Sequence, residues 1–331
     1  MLAFNFQSVF PFFTTFFSFL FFISVMEQYS RKKKFHQLIW GIAMFLFLVT
    51  AGAEAVALAL GYWNPIVFKM YYVLAAIQVP FMGGGVLYLF AERNIINGKN
   101  SWKALIIFSL IWSLFGFLFA GRDPVFYTFF LIGATLIVFS VLYAILPSSN
   151  GLKEWWKEKV TGWTVANIFM AVSLLAFALM TYYAIISPVN LELLKHGGEV
   201  SGLPWQKDPT DLSEPRAVVR LFSPLQTVPG GIALIGGGFY SYISWQLSIK
   251  RQTGRFEWQK GFFNIYIAVG ALVLGQGAFF SGFGYGTLYI SETISVALMY
   301  FGFLESDRIT KEQLVQVFNL RRFFRREVSV S

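Results

Sequence analysis

Cysteine is missing from this chain altogether, and with it go disulfide bonds, thiolate metal sites and iron–sulfur clusters. Histidine is nearly missing as well. His36 and His196 are the two that occur, and both fall in stretches that read as loops, so a buried pair of axial haem ligands is excluded. Charge is scarce: 13% of the 331 residues are charged and 56% are hydrophobic, too few ionic groups to clothe a soluble domain of this length. The motif inventory is just as empty, with no H-E-x-x-H, no G-x-S-x-G and no P-loop. No lysine lies deep in an apolar run, where a retinal Schiff base would need it. These absences predict no metal, no cofactor and no enzymatic reaction that the residues declare.

What the chain does have is apolar length. Its mean hydropathy is +0.60, and the apolar residues fall in blocks of about 18 to 25, the length a bilayer core demands of a helix. Nine spans are expected, at about 8–26, 38–61, 66–90, 103–120, 125–146, 163–187, 223–247, 261–282 and 286–304. The expected fold is therefore an all-α, polytopic helical transmembrane bundle. The first block has no basic segment ahead of it and no small-residue cleavage site after it, and it reads as a retained span rather than a signal peptide. Short connections (GYWNP, GRDP and SGFGYG) mark tight helical hairpins in which Gly, Asn and Pro supply the turn. In GRDP, Asp123 reads as an ion pair with Arg122 at the turn.

The net charge of +9 does not point to nucleic acid, because the basic residues sit between the apolar blocks rather than on one patch. Twenty of the 26 basic residues gather on one side of the expected topology. The positive-inside rule then puts the N-terminus outside and the C-terminus in the cytoplasm, in a cell membrane. Residues 1–304 form the bundle, and 305–331 form a basic, roughly amphipathic tail suited to anionic lipid on the inner leaflet. Trp155, Trp156 and Trp163 read as interfacial anchors. The one sizeable loop, 188–222, is too short and proline-rich for a domain of its own. It reads as a lid over the outer mouth, with a short helix N-capped by Ser213 and carrying Pro215 in its first turn.

Polar residues inside spans are the candidate site. Glu54 lies in LVTAGAEAVALAL, about two turns from the outer end of its span, where a bare carboxylate is expensive. Lys69 lies across the hairpin and can either reach toward Glu54 or snorkel to the interface. Glu292 lies at a similar depth, and Gln78 and Gln276 are further polar groups in neighbouring spans. These five are the ligand- or ion-binding candidates, set against the plainer reading that they satisfy one another and lock helix contacts.

Glycine triplets recur in two spans, Gly83, Gly84 and Gly85 in PFMGGGVLYLF and Gly236, Gly237 and Gly238 in ALIGGGFYSYI. Small residues license close helix approach in lipid, so a neighbouring backbone is expected there, with a flat ligand as the alternative. Neither triplet follows a strand, which removes nucleotide binding. Gly61-Tyr62 also echoes Gly284-Tyr285, a weak sign of a duplicated hairpin. The stretch RLFSPLQTVPGGIALIGGGFYSYISW, followed by GALVLGQGAFFSGFG and ISETISVALMYFGFLES, resembles a family of uncharacterised multipass proteins from bacteria and archaea. That resemblance implies the fold and the glycine placement, and carries no activity. The functional expectation is a membrane component of binding or accessory type, a subunit of a larger assembly of membrane proteins. The alternatives are a small-molecule or proton-coupled transporter with its polar site in the outer half, and a membrane sensor.

Overall fold

The computed structural model describes residues 9–147, 150–195, 197–200, 203–205, 217–259, 261–281 and 287–306. His196, Ser213, Pro215, the Gly284-Tyr285 pair and the tail from 307 onward lie outside them. Among the described residues there are eleven α-helices and no strands: α1 (Phe10–Lys32), α2 (Phe35–Leu60), α3 (Pro65–Glu92), α4 (Ser101–Ala120), α5 (Phe126–Ile145), α6 (Gly151–Lys159), α7 (Gly162–Ile186), α8 (Leu191–Leu194), α9 (Val218–Thr253), α10 (Phe263–Ser281) and α11 (Leu288–Ser306). All but α6 and α8 are long and apolar enough to cross a membrane. The protein is a multipass helical bundle.

Local chemistry sets the hairpins. Gly61 ends α2 at φ 75°, a left-handed conformation glycine adopts without cost. Asn64 then caps α3, its Oδ1 accepting from the N–H groups of Ile66 at 2.9 Å and Val67 at 3.3 Å, and Pro65 fills the first helical position. Asp123 does the same work before α5, with Oδ1 accepting from Val125 N–H at 2.9 Å and Oδ2 from the Tyr183 hydroxyl at 2.8 Å. The expected ion pair with Arg122 is not formed, because the carboxylate is spent on the turn and on α7. His36 is not in a loop either. It opens α2, buried, with Nδ1 3.0 Å from Glu92 Oε2 at the end of α3.

The helix α3 is the most enclosed, whereas α1, α5 and α10 turn most of their surface outward. Two apolar clusters meet on it. On one side Phe68, Ala76 and Tyr88 join α4, α7 and α9 through Trp112, Phe169 and Phe222. On the other, Met82, Val86 and Phe90 join α1, α2, α10 and α11 through Val25, Phe47, Ala271 and Val296. α11 docks on α1, where Thr14 and Thr293 hydroxyls meet at 2.6 Å and Phe21 packs on Tyr300 and Phe303. Many large apolar side chains, such as Phe16, Leu114, Phe117 and Ile185, point outward more than half exposed, a surface that water cannot cover and lipid can. Of the three expected anchor tryptophans, Trp155 and Trp163 are exposed. Trp156 is turned inward instead, stacked on Tyr143 at 5.1 Å, with its N–H donating to Ser101 Oγ at 3.1 Å.

α9 runs for 36 residues, about 54 Å at ~1.5 Å per residue, so it overshoots both ends of the expected 223–247 span. It carries Pro224 and Pro229, and α3 carries Pro80. Each proline deprives the preceding turn of one hydrogen bond. Gly83 of α3 lies against the backbone of Gly230 in α9, whose own neighbours are Val79 and Pro80. Gly84 lies against Met170, Gly85 against the Trp40 ring, Gly237 against Val86 and Gly238 against Ala268, whereas Gly236 has open space before it.

These contacts sort the glycines. Gly83→Ala should lower the thermal midpoint in mild detergent, by an amount corresponding to about 1–3 kcal/mol, since its new methyl meets backbone that cannot rotate away. Gly236→Ala should hold or raise the midpoint, because it gains up to about 1 kcal/mol of helix propensity and meets nothing. Equal behaviour of the two variants would contradict the α3–α9 contact.

Candidate functional site

Glu54 is 1% exposed. It lies as far before the end of α2 as Tyr71 lies after the start of α3, so the hairpin brings the two level. The Tyr71 hydroxyl donates to Glu54 Oε1 at 2.5 Å. The other oxygen, Oε2, is buried with no donor. The carboxyl of Glu292, on the first turns of α11, lies within hydrogen-bonding reach of Glu54, and that bond exists once one of the two carboxyls carries a proton. Two acidic side chains from distant parts of the chain thus form a buried pair.

Other groups close around the pair. Tyr289, one turn before Glu292, is 5% exposed, and its hydroxyl has no hydrogen-bond partner. It feels the charges of Glu54, Glu292 and Glu199. Glu199, half-buried in the connection after α8, acts on both carboxyls of the pair, and its Oε2 accepts from Leu288 N–H at 3.1 Å, at the start of α11. One turn from Glu54, Thr50 donates to Gln78 Oε1 at 3.2 Å. No basic side chain among the described residues acts on either Glu54 or Glu292. No three acidic, histidine or cysteine residues among them converge to hold a metal ion.

Glu292, but not Glu54, lines a cavity of about 590 Å³ between α3, α9, α10 and α11. Its wall is largely apolar, with Ala75, Val79, Ile232 and Leu274, and carries polar groups at Tyr71, Gln78, Arg220, Ser223, Thr227 and Glu292. That volume lies within the range of about 300–1,000 Å³ usual for small-molecule sites. A second recess, about 640 Å³, lies at the opposite end of the bundle between α10 and α11. It is an open trough of Trp258, Phe262, Tyr266 and Phe301, and contains neither member of the pair.

The five candidates from the sequence separate here. Glu54 and Glu292 come together, and Gln78 lies beside them in the cavity wall. Lys69 goes elsewhere: its ammonium donates to Ser187 O at 2.7 Å and Ile185 O at 3.2 Å, closing the carbonyl end of α7, and sits over the Trp205 ring. Gln276 is exposed on the outer face of α10. Its neighbour Gly275 lines the cavity while Gly277 meets Ser291 of α11, and the ~100° step per residue turns position 276 away from both. The sequence reading did not single out Tyr71, Tyr289 and Glu199. Symmetry about the GYWNP turn could have found Tyr71, but nothing local marks Glu199.

The described part of the lid loop lies on the α2–α3 hairpin. Trp63 N–H donates to Leu194 O at 2.8 Å, its indole N–H donates to Gly198 O at 3.0 Å, and Trp205 packs on Phe68 and Tyr72. No protein-family model matches this chain, and no curated protein or solved structure matches it either.

Removing the Tyr71 hydroxyl leaves Glu54 without its one neutral donor. Tyr71→Phe should cost about 1–3 kcal/mol, read as a lowered thermal midpoint of the detergent-solubilised protein, while Gln276→Ala should leave that midpoint unchanged. A neutral Tyr71→Phe would mean that the hydroxyl does not support the carboxyl.

Proposed function

We propose that this protein is a proton-coupled carrier of a small solute, with the Glu54–Glu292 pair as its proton-binding element and the 590 Å³ cavity as its solute site. The observation that carries the reading is a buried acidic pair, free of any basic partner among the described residues, whose Glu292 member lines a cavity of ligand size. Two unit charges 4 Å apart repel by about 4 kcal/mol at an effective dielectric of about 20. Two adjacent buried carboxylates therefore do not both stay ionised, and a proton held there is released when the surroundings change. Intramembrane ionisable groups of this kind serve proton relays and solute paths.

An accessory subunit, by contrast, needs no cavity beside its acidic residues, and a dry core would suit it. The cavity favours the carrier. We read the protein as lying in the cell membrane with its basic connections in the cytoplasm, which sets the pair in the outer half. The small residues at positions 83 and 230 allow α3 and α9 to cross closely beside the solute site.

Reconstitution into vesicles holding a pH-sensitive dye tests this. Amines, carboxylates, sugars and neutral alcohols are added outside in turn. One class should shift the internal pH with the wild type, and none should do so with Glu54→Gln, provided that variant elutes as a folded protein. A wild type that moves no protons with any class would rule out the carrier.

A further inference from the structure

We infer that the solute is a lipophilic amine, bound as its ammonium ion at the Glu292 end of the cavity, where it takes the place of a proton on the acidic pair. This deepens the carrier reading and rests on it.

Charge balance drives the inference. With both carboxyls protonated the pair is neutral. Loss of one proton leaves one negative charge inside the bundle, and among the described residues nothing basic stands close enough to balance it. Lys69, the nearest candidate by sequence, is committed to the carbonyl end of α7. The groups that face the pair are Tyr71 from α3, Tyr289 from α11 and Glu199 from the lid loop, none of them basic. α10 adds no titratable group to the cavity wall. Arg220 of α9 lines the same cavity, has interactions of its own, and does not act on either carboxyl. A ligand that replaces the departing proton must bring one positive charge, and it meets the pair at Glu292, the member that lines the cavity.

Two further observations describe that ligand. Of the acidic pair, Glu292 lines the cavity wall together with Tyr71 and Gln78, and its carboxylate can accept from an ammonium N–H. The rest of the cavity is apolar, with Tyr72, Phe119 and Phe279 among its aromatic residues, which suits a hydrocarbon or aromatic body and allows cation–π contact. The exchange balances: the ammonium enters, one carboxyl O–H bond breaks and its proton leaves to water. The site's net charge does not change.

The test uses the purified full chain in mild detergent, with phenethylamine and dodecylamine as probes, and phenethyl alcohol and phenylpropionate as the neutral and anionic counterparts. The amines should bind with release of one proton per molecule, seen with an indicator dye in weak buffer. Affinity should fall about tenfold for each pH unit of acidification over the range where the pair takes up protons. Glu292→Gln should abolish proton release and weaken amine binding at least tenfold, while Glu292→Asp should retain both in part.

Amine binding that ignores pH in the wild type would overturn the inference, whatever the variants do. So would binding of the alcohol or the acid in preference to both amines. If a carboxylate or neutral solute moves protons into vesicles through Glu54 while no amine binds, the amine assignment falls and the carrier stands. If no probe moves protons, both fall.

Discussion

Hydrocarbon solvates neither a charge nor an unpaired peptide group, so a chain that crosses it many times must satisfy each polar atom from its own residues. Most of this structure can be read as the result. Asn64 and Asp123 return hydrogen bonds to the first turns of α3 and α5, and Lys69 closes the carbonyl end of α7. The hydroxyls of Thr14, Ser18, Ser173 and Thr181 donate back to the carbonyl one turn earlier in their own helices. Against that background, the few buried polar atoms left without partners stand out, and two of them lie at the acidic pair.

The same constraint explains why α3 is central. With no water to expel from between helices, contact between them is won by fit. α3 meets its neighbours at places where side chains are small or absent: Gly83 at Gly230, Gly84 at Met170 and Gly85 at Trp40. Its Pro80 faces Gly230, close to Pro229, so two turns that each lack a hydrogen bond lie against one another rather than against lipid. Val79, beside Pro80, and Val228, beside Pro229, also line the cavity. The irregular backbone and the cavity therefore occupy one region of the bundle.

The spans were legible because length and hydropathy report directly on the solvent. Hairpins were legible because Gly61, Asn64 and Pro65 have few other uses in that order. Glu54 and Glu292 were legible as anomalies, since a carboxyl inside an apolar run is expensive whether it serves a ligand or only locks helix contacts. Their meeting was not: it depends on α11 docking against α1 and α10, through Thr293 and Gly277, and no periodicity encodes which helices become neighbours. Lys69 and Gln276 illustrate the same limit. Depth placed both near the pair, while rotation about the helix axis and a competing set of carbonyls decided where their side chains went. Trp156 shows it at the surface, where a tryptophan typical of an interface instead found Tyr143 and Ser101.

A single buried carboxyl can be made comfortable by one good donor, and Tyr71 alone would meet Glu54's need at Oε1. Placing a second carboxyl within reach undoes that comfort, because the pair then has more acceptors than donors unless protons are added. Glu199 also acts on the pair, and it accepts from the backbone N–H of Leu288 at the start of the helix that carries Glu292. A chain selected for stability alone could relieve all of this with one glutamine, whose amide would donate to its partner without any proton from solution. Two acids side by side, one of them lining a cavity, separate this site from an ordinary polar contact between helices. Two buried carboxyls within reach of one another do not both stay ionised, so at least one proton is part of this site.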